Sequence, residues 1–449
     1  MALAGLKLAE LISALSHALD ITEGQPEGHC VRCCWVGMQL GREIGLSEHA
    51  QWELYYTLLL KDLGCSSNAA RICELYLTDD RGFKRDFKSV DGSLAQVLRF
   101  VVDHTGLQAS TAERFGAMLR IFRHGDELAQ ELIQTRCQRG AEISRQLRFP
   151  DGVARGIHAL DEHWDGSGRP ERLSGDAIPV YARIALLAQV VGVFHSVGGA
   201  QAALAEVRGR RGGWFDPLLV DAFERVSGRP GFWTTLAADD IAEAVYALEP
   251  GRYEVPLDDD YMDEIAAAFG QVVDAKSPYT AGHSTRVALY TELVAGELGI
   301  PETRRRWLRR GALLHDVGKL GVSNMVLDKP GKLEADEWEA VKLHAVYTES
   351  ILARIAPFAE LARVSAAHHE RLDGGGYPRG LKADEIALET RIITVADIFD
   401  AITAERPYRG ATPVPKTLAM MREHVGTAID ERCFAALERA LAQLPEQPH

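Results

Sequence analysis

The chain repeats itself. Gly28-His29 is followed by Leu59-Leu60-Lys61-Asp62-Leu63-Gly64, and Gly282-His283 by Leu313-Leu314-His315-Asp316-Val317-Gly318. The interval from His29 to Lys61 and from His283 to His315 is the same, 32 residues. Farther on, Asp165-Gly166-Ser167-Gly168-Arg169-Pro170 aligns with Asp373-Gly374-Gly375-Gly376-Tyr377-Pro378 at an offset of 208, which also pairs Arg183-Ile184 with Arg391-Ile392. The earlier blocks are offset by 254, so the first copy carries 46 additional residues between them. Phe215-Asp216-Pro217 and Ile429-Asp430-Glu431 mark matching late positions. Repetition of this kind means one architecture used twice, and 449 residues exceed one typical core. The repeats place a first unit at 1–230, enlarged by the insertion, and a second at 263–449. The stretch 231–262 reads as their connection, with Gly228, Pro230, Pro250, Gly251, Pro256 and Asp258-Asp259-Asp260 in or beside it.

Both units read as helical. Val287, Tyr290, Leu293, Val294 and Leu298 recur at three and four residues and stop at Gly299 before Pro301, a helix terminus. Trp338, Val341, His344, Thr348, Ile351 and Ile355 form one face of another helix. Leu361, Val364 and His368 mark a third, and Ile393, Ala396, Asp397 and Asp400 a fourth. Alternating strand patterns are scarce. The expected fold is all-α: two tandem helical domains, the second with polar groups directed into its bundle. Buried histidines and aspartates must be partnered, and helices aiming such groups at one interior build the metal sites of bundles.

A net charge of −14 disfavours nucleic acid as the main ligand, since a backbone binder needs a basic face. A small phosphate ligand in a locally cationic pocket stays compatible. Arg208-Gly209-Arg210-Arg211 reads as an exposed loop. The longest apolar run, Ile184 to Phe194, is too short to span a bilayer. Leu3, Leu6, Leu11, Leu15 and Leu19 lie at helical spacing interrupted by Lys7 and Glu10, unlike a signal peptide. No membrane association and a cytoplasmic location are expected. Seven cysteines agree with a reducing compartment. Cys30-x-x-Cys33 lacks a partner pair at zinc spacing and reads as small side chains packed on a helix.

Chemistry concentrates in the second unit. Adjacent His368-His369 run into a glycine-rich loop closed by Gly376-Tyr377-Pro378. Adjacent histidines at a helix end are costly unless something takes their lone pairs, and a metal is the usual taker. His315-Asp316 is a second ligand-type pair, with Lys319 one turn on. Singly, each has a structural reading: His283 as a cap, His315-Asp316 as a buried hydrogen-bonded pair, His344 as core, the loop as a turn, Lys319 as a solvated side chain. Overlaying the copies separates architecture from chemistry. His283 falls on His29 and Asp316 on Asp62. His315, however, falls on Lys61, His344 on Arg136, His368 on Leu160, His369 on Asp161 and Asp397 on Gln189. A lysine or arginine in a metal ligand's place repels a metal. The first unit keeps the fold and the loop and loses the site.

The stretches that carry a family likeness are Tyr279-Thr280-Ala281-Gly282-His283, His-Asp-x-Gly-Lys at 315–319, His-His-Glu-Arg-x-Asp-Gly-x-Gly-Tyr-Pro at 368–378, Val395-Ala396-Asp397-Ile398-Phe399-Asp400 and Arg406-Pro407-Tyr408-Arg409. With them in this order, the second unit resembles an HD-GYP domain, a branch of the HD metal-dependent phosphohydrolases, and the first resembles a degenerate copy. The resemblance implies a signalling phosphodiesterase that hydrolyses cyclic di-GMP to linear pGpG or GMP. It implies ligation of divalent metal by His283, His315, Asp316, His344, His368, His369 and Asp397, with Asp316 as the bridge. The resemblance makes iron or manganese the expected metals; mixed histidine and carboxylate ligation by itself suits iron, manganese or zinc better than magnesium or calcium. Members with a third ion carry a glutamate where this chain has Tyr279, so two ions are expected. Lys319, Arg406 and Arg409 match positions that contact substrate phosphates, beside the Gly376-Tyr377-Pro378 loop.

A phosphodiester resists attack because it is anionic. Two metals turn a bridging water into a nucleophile and neutralise phosphoryl charge; Asp316 and Lys319 are the catalytic residues expected, Lys319 as a point cation. Two other functions fit such a chain: hydrolysis of another cyclic dinucleotide, such as a mixed one, and non-catalytic sensing of cyclic di-GMP. A homodimer and signalling-protein partners are further expectations, with the first unit regulatory or dimerising.

Overall fold

Helices carry the architecture, and among the described residues no strand forms beyond isolated bridges. The computed structural model describes residues 6–90, 93–251, 257–405 and 410–443. Leu3, Arg406 and Arg409 lie outside the described residues. A first compact unit ends at Asp258 and a second begins at Asp259.

The stretch expected to connect them, 231–262, is instead divided between the two units. Phe232–Ala237 and Ile241–Tyr246 are short helices packed on His29–Glu43, with Phe232, Leu236, Ile241 and Val245 buried. Burial of these apolar side chains outweighs the loop-forming glycine and proline around them. Asp259–Asp274 is already the first helix of the second unit. Arg208, Arg210 and Arg211 likewise form no open basic loop. They pair with Glu224, Glu206 and Asp221, and Arg210 is buried with its guanidinium 3.9 Å from the Trp214 ring centre. The apolar run at 184–194 belongs to Val180–Gly209, 30 residues and by length and composition able to cross a membrane. It bends at Gly199, φ 69°, and buries Ile184, Leu187, Ala188 and Val191 in the core of the first unit. The inserted segment builds a satellite core from Ile72, Leu75, Phe83, Val90 and Phe100, closed by Leu128 and Leu132.

In the second unit His283–Glu297 packs on Glu302–Leu314, Leu388–Thr403 and Glu431–Gln443, while Ala335–Leu352 packs on the turn Val317–Gly321 and on Ala359–Ala366. The closest approach needs a glycine. A Cβ on Gly318 would lie 1.9 Å from the His344 carbonyl oxygen, and one on Gly64 would lie 1.8 Å from that of Arg136. These are equivalent positions of the repeat. The glycine loops agree too: a Cβ on Gly376 or Gly168 would fall 2.5 Å from the carbonyl oxygen of His369 or Asp161. Glu370 accepts from the backbone N–H of Arg379 and Leu381, as Glu162 does from Glu171 and Leu173. The repeat alignment therefore holds at the level of single contacts. Because the obstruction at Gly318 is backbone, Gly318→Ala should destabilise the second unit by about 3 kcal/mol; a wild-type thermal melt for the variant would refute this packing.

Candidate metal centre

Each inward-facing residue owes its place to a helix end or a helix face. His283 opens its helix behind Gly282, whose φ of 70° suits glycine. His315 ends Glu302–Leu314 and Asp316 begins the following turn. His344 and Asp397 sit within helices, and His368-His369 follow the end of Ala359–Ala366. Hydroxyls pin these segments together. Thr348 Oγ1 donates to His315 O and accepts from Gly318 N, both at 3.0 Å. Ser365 Oγ donates to Gly311 O at 3.1 Å, and Thr394 Oγ1 to His368 O at 2.8 Å.

The result is two sets of ligand-type atoms, each gathered within 4.8 Å: His283, His315 and Asp397, then Asp316, His344, His368 and His369. Asp316 faces both. Its Oδ2 is 3.3 Å from His283 Nε2 and 3.2 Å from His315 Nε2; its Oδ1 is 3.5 Å from His344 Nε2 and 3.6 Å from His368 Nε2. The Nδ1 atoms of His315, His344 and His368 lie 2.7, 2.6 and 2.6 Å from the carbonyl oxygens of Ala312, Val341 and Ser365. A carbonyl only accepts, so each Nδ1 carries a proton and each Nε2 is the nitrogen left facing inward. His283 Nδ1 instead meets Asp400 Oδ2 at 2.7 Å, and Asp400 is gripped by Arg286 through Nε at 2.6 Å and Nη2 at 3.1 Å. Sequence reasoning assigned no role to Asp400 or Arg286. The available signal was Asp400 one turn beyond Asp397 on the same face.

His283 Nε2, His315 Nε2 and Asp316 Oδ1 are buried without hydrogen-bond partners. Buried polar atoms are normally partnered, so the cluster calls for a cation, and imidazole with carboxylate fits a divalent transition metal. Burial pushes His344 down to about 4, His369 down to about 3 and His368 well below its ordinary value, leaving neutral rings. Burial also opposes protonation of His283 and His315, but the surrounding carboxylates overcome it and push them up to about 10 and about 9. Lys319 Nζ donates to Asp316 Oδ2 at 2.5 Å, and with Tyr279, His283 and Asp316 it lines a cavity of about 100 Å³. Gly376 is packed on His369, and the Tyr377 ring centre lies 4.8 Å from that of His369; Pro378 follows through a cis peptide.

The first unit fills the same places with protein cations. Lys61 is buried and donates to Asp62 and, at 3.0 Å, to Gln189 Oε1. Arg136 donates to Asp161. Lys88, from the inserted segment, lies 2.8 Å from Glu23 and 4.0 Å from Asp62. Glu23, Asp62 and Cys65 have the spacing of a ligand set, but the Lys88 ammonium among them repels a metal. Burial alone would raise the Asp62 pKa; Lys61 and Lys88 hold it well below the usual carboxylate range instead.

Known proteins match the same regions. The HD domain family model matches residues 115–219 and 268–433. The chain is 58% identical over 440 residues to 3'3'-cGAMP-specific phosphodiesterase 3 of Vibrio cholerae, covering 98% of this chain and 96% of that protein. A crystal structure of a cyclic GMP-AMP specific phosphodiesterase of V. cholerae aligns with a TM-score of 0.67 at 52% identity, over 98% of this chain and 99% of that one. The cyclic di-GMP phosphodiesterase of Thermotoga maritima is 37% identical over 158 residues, 35% of this chain and 43% of that protein.

Two outcomes follow from the geometry. Asp400→Asn should weaken metal retention about ten- to hundred-fold in a chelator competition; unchanged retention would remove Asp400 from the support of His283. Lys61→Met leaves the buried Asp62 to the more distant Lys88 ammonium, 4.0 Å away, and should cost about 3 kcal/mol. Adding Asp62→Asn should recover most of that loss in a thermal melt, and failure to recover it would mean the pair is not what Lys61 serves.

Proposed function

The chain belongs to the HD domain family, HD-GYP type, and on that premise we propose that it is a cyclic-dinucleotide phosphodiesterase whose substrate is 3'3'-cyclic GMP-AMP. One observation carries the substrate: likeness to the V. cholerae enzyme named for that dinucleotide runs through both units, over 98% of this chain. The T. maritima enzyme named for cyclic di-GMP matches 35% of it. The motifs in the second unit pointed to cyclic di-GMP because they report phosphodiester chemistry. That chemistry is common to both ligands, which differ only in base edges.

His283, His315 and Asp397 would hold one divalent ion and His344, His368 and His369 a second, with Asp316 shared; mixed imidazole and carboxylate ligation suits a transition metal such as iron, manganese or zinc. Ions bound there supply a nucleophile at neutral pH and neutralise phosphoryl charge. The protein's own contribution is positional and electrostatic. The Ala312, Val341 and Ser365 carbonyls and the Asp400 carboxylate fix which nitrogen of each ring faces inward. Lys319, on the wall of the cavity that reaches Asp316, meets a phosphoryl oxygen as a point cation. Tyr377 walls off His369. Arg406 and Arg409 would grip a phosphate by paired hydrogen bonds.

Metal-loaded protein should hydrolyse cyclic GMP-AMP with kcat/KM about ten-fold or more above that for cyclic di-GMP, and His315→Ala or Asp316→Ala should abolish both activities. A preference for cyclic di-GMP would overturn the substrate. Full activity in both variants would overturn the site.

A further inference from the structure

A second, larger cavity adjoins the metal centre. It is a cleft open to solvent, of about 470 Å³, lined by Tyr279, Arg286, Tyr290, Asp400, Thr403 and Glu405 among others, a volume in the range of ligand pockets. Tyr279 also lines the smaller cavity that reaches His283, Asp316 and Lys319. Asp400, in the wall of the larger one, is the partner of His283. One wall therefore separates the place where a scissile phosphate would lie from this space.

The first unit shows what shape the space accepts. By the repeat offsets, Arg286 corresponds to Arg32, Thr403 to His195 and Asp400 to Gly192. Single contacts confirm the register: Arg32 Nη1 donates to Glu27 O as Arg286 Nη1 donates to Ala281 O, and those carbonyls are equivalent. In the first unit the chain plugs the equivalent place. Trp233 stacks on His195 with ring centres 5.3 Å apart and planes 16° apart. Arg32 donates from Nε to Leu236 O at 3.2 Å and from Nη2 to Ala238 O at 3.4 Å. The plug is a flat fused bicycle beside an arginine that meets acceptors. An indole and a purine share that shape, and purine N7 is an acceptor.

We propose that the cavity beyond Tyr279 is the subsite for one purine base of the cyclic dinucleotide, a proposal that rests on the substrate class argued above. The base lies against Tyr290, whose ring is set at 89° on Phe399 with centres 4.8 Å apart, and over Thr403. Arg286, 38% exposed at its side chain, uses three N–H groups on Asp400 and Ala281 and offers its remaining donors to ring acceptors. Stacking of a base on an aromatic side chain is sequence-tolerant and strong enough to be seen in KM.

The test uses the full chain loaded with manganese and two variants. Ala404→Trp plugs the cavity from its rim, as Trp233 does in the first unit; Tyr290→Ala removes the stacking wall. Each should raise KM for cyclic GMP-AMP about ten-fold and lower by a similar factor the ratio of that activity to cleavage of bis(p-nitrophenyl) phosphate, a diester without bases, at wild-type metal content. An unchanged KM in both variants, or parallel losses on the two substrates, would overturn the subsite. A wild-type protein that cleaves bis(p-nitrophenyl) phosphate but no cyclic dinucleotide would overturn the substrate reading instead.

Discussion

A buried carboxylate sits at the same point of each unit, Asp62 in the first and Asp316 in the second, and a carboxylate away from water must have positive charge beside it. Most of what surrounds the two residues follows from that demand. Around Asp316, four imidazoles turn Nε2 atoms inward, and their outer nitrogens are fixed by carbonyls or by Asp400. Around Asp62 the charge comes from Lys61, with Lys88 reaching in from the insertion. The glycines that let Gly64 and Gly318 lie on a facing carbonyl are shared, because both arrangements need the same helix approach.

The sequence exposed the fold class and the seven inward-facing residues because both are written in short-range patterns: helical spacing, and ligand-type residues that fail to repeat in the first copy. It misled at 231–262, where glycine and proline suggested a connection but Phe232, Leu236, Ile241 and Val245 are buried. Composition reports local freedom, whereas burial against His29–Glu43 is a long-range fact. Asp400 and Arg286 were visible as residues and silent as roles, since a hydrogen bond between helices more than a hundred positions apart leaves no spacing to read. Lys88 went unread for the same reason: it reaches Glu23 and Asp62 only because the insertion folds back.

The same distinction explains why the motifs suggested cyclic di-GMP while the full-length likeness favours a mixed dinucleotide. The histidines and aspartates would serve phosphates, which every cyclic dinucleotide carries. Contact with the bases has to come from residues with no part in the diester chemistry, and those do not form motifs. Tyr290 and Thr403 are ordinary helix positions in the sequence. Only the structure sets them around one cavity with Arg286.

The two copies also balance the same buried charge by means that respond to different conditions. The first carries its counter-ions covalently, as lysine and arginine side chains present whenever the chain is folded. The second leaves His283 Nε2, His315 Nε2 and Asp316 Oδ1 without hydrogen-bond partners, so a cation bound there would add its binding free energy to folding and make the stability of that unit follow metal supply. Lysine and arginine at those places answer the carboxylates Asp62 and Asp161 from within the chain. The glycine loop is common to both copies because its glycine packs on the loop's own backbone, beside His369 O in one and Asp161 O in the other, whichever side chains stand at those positions.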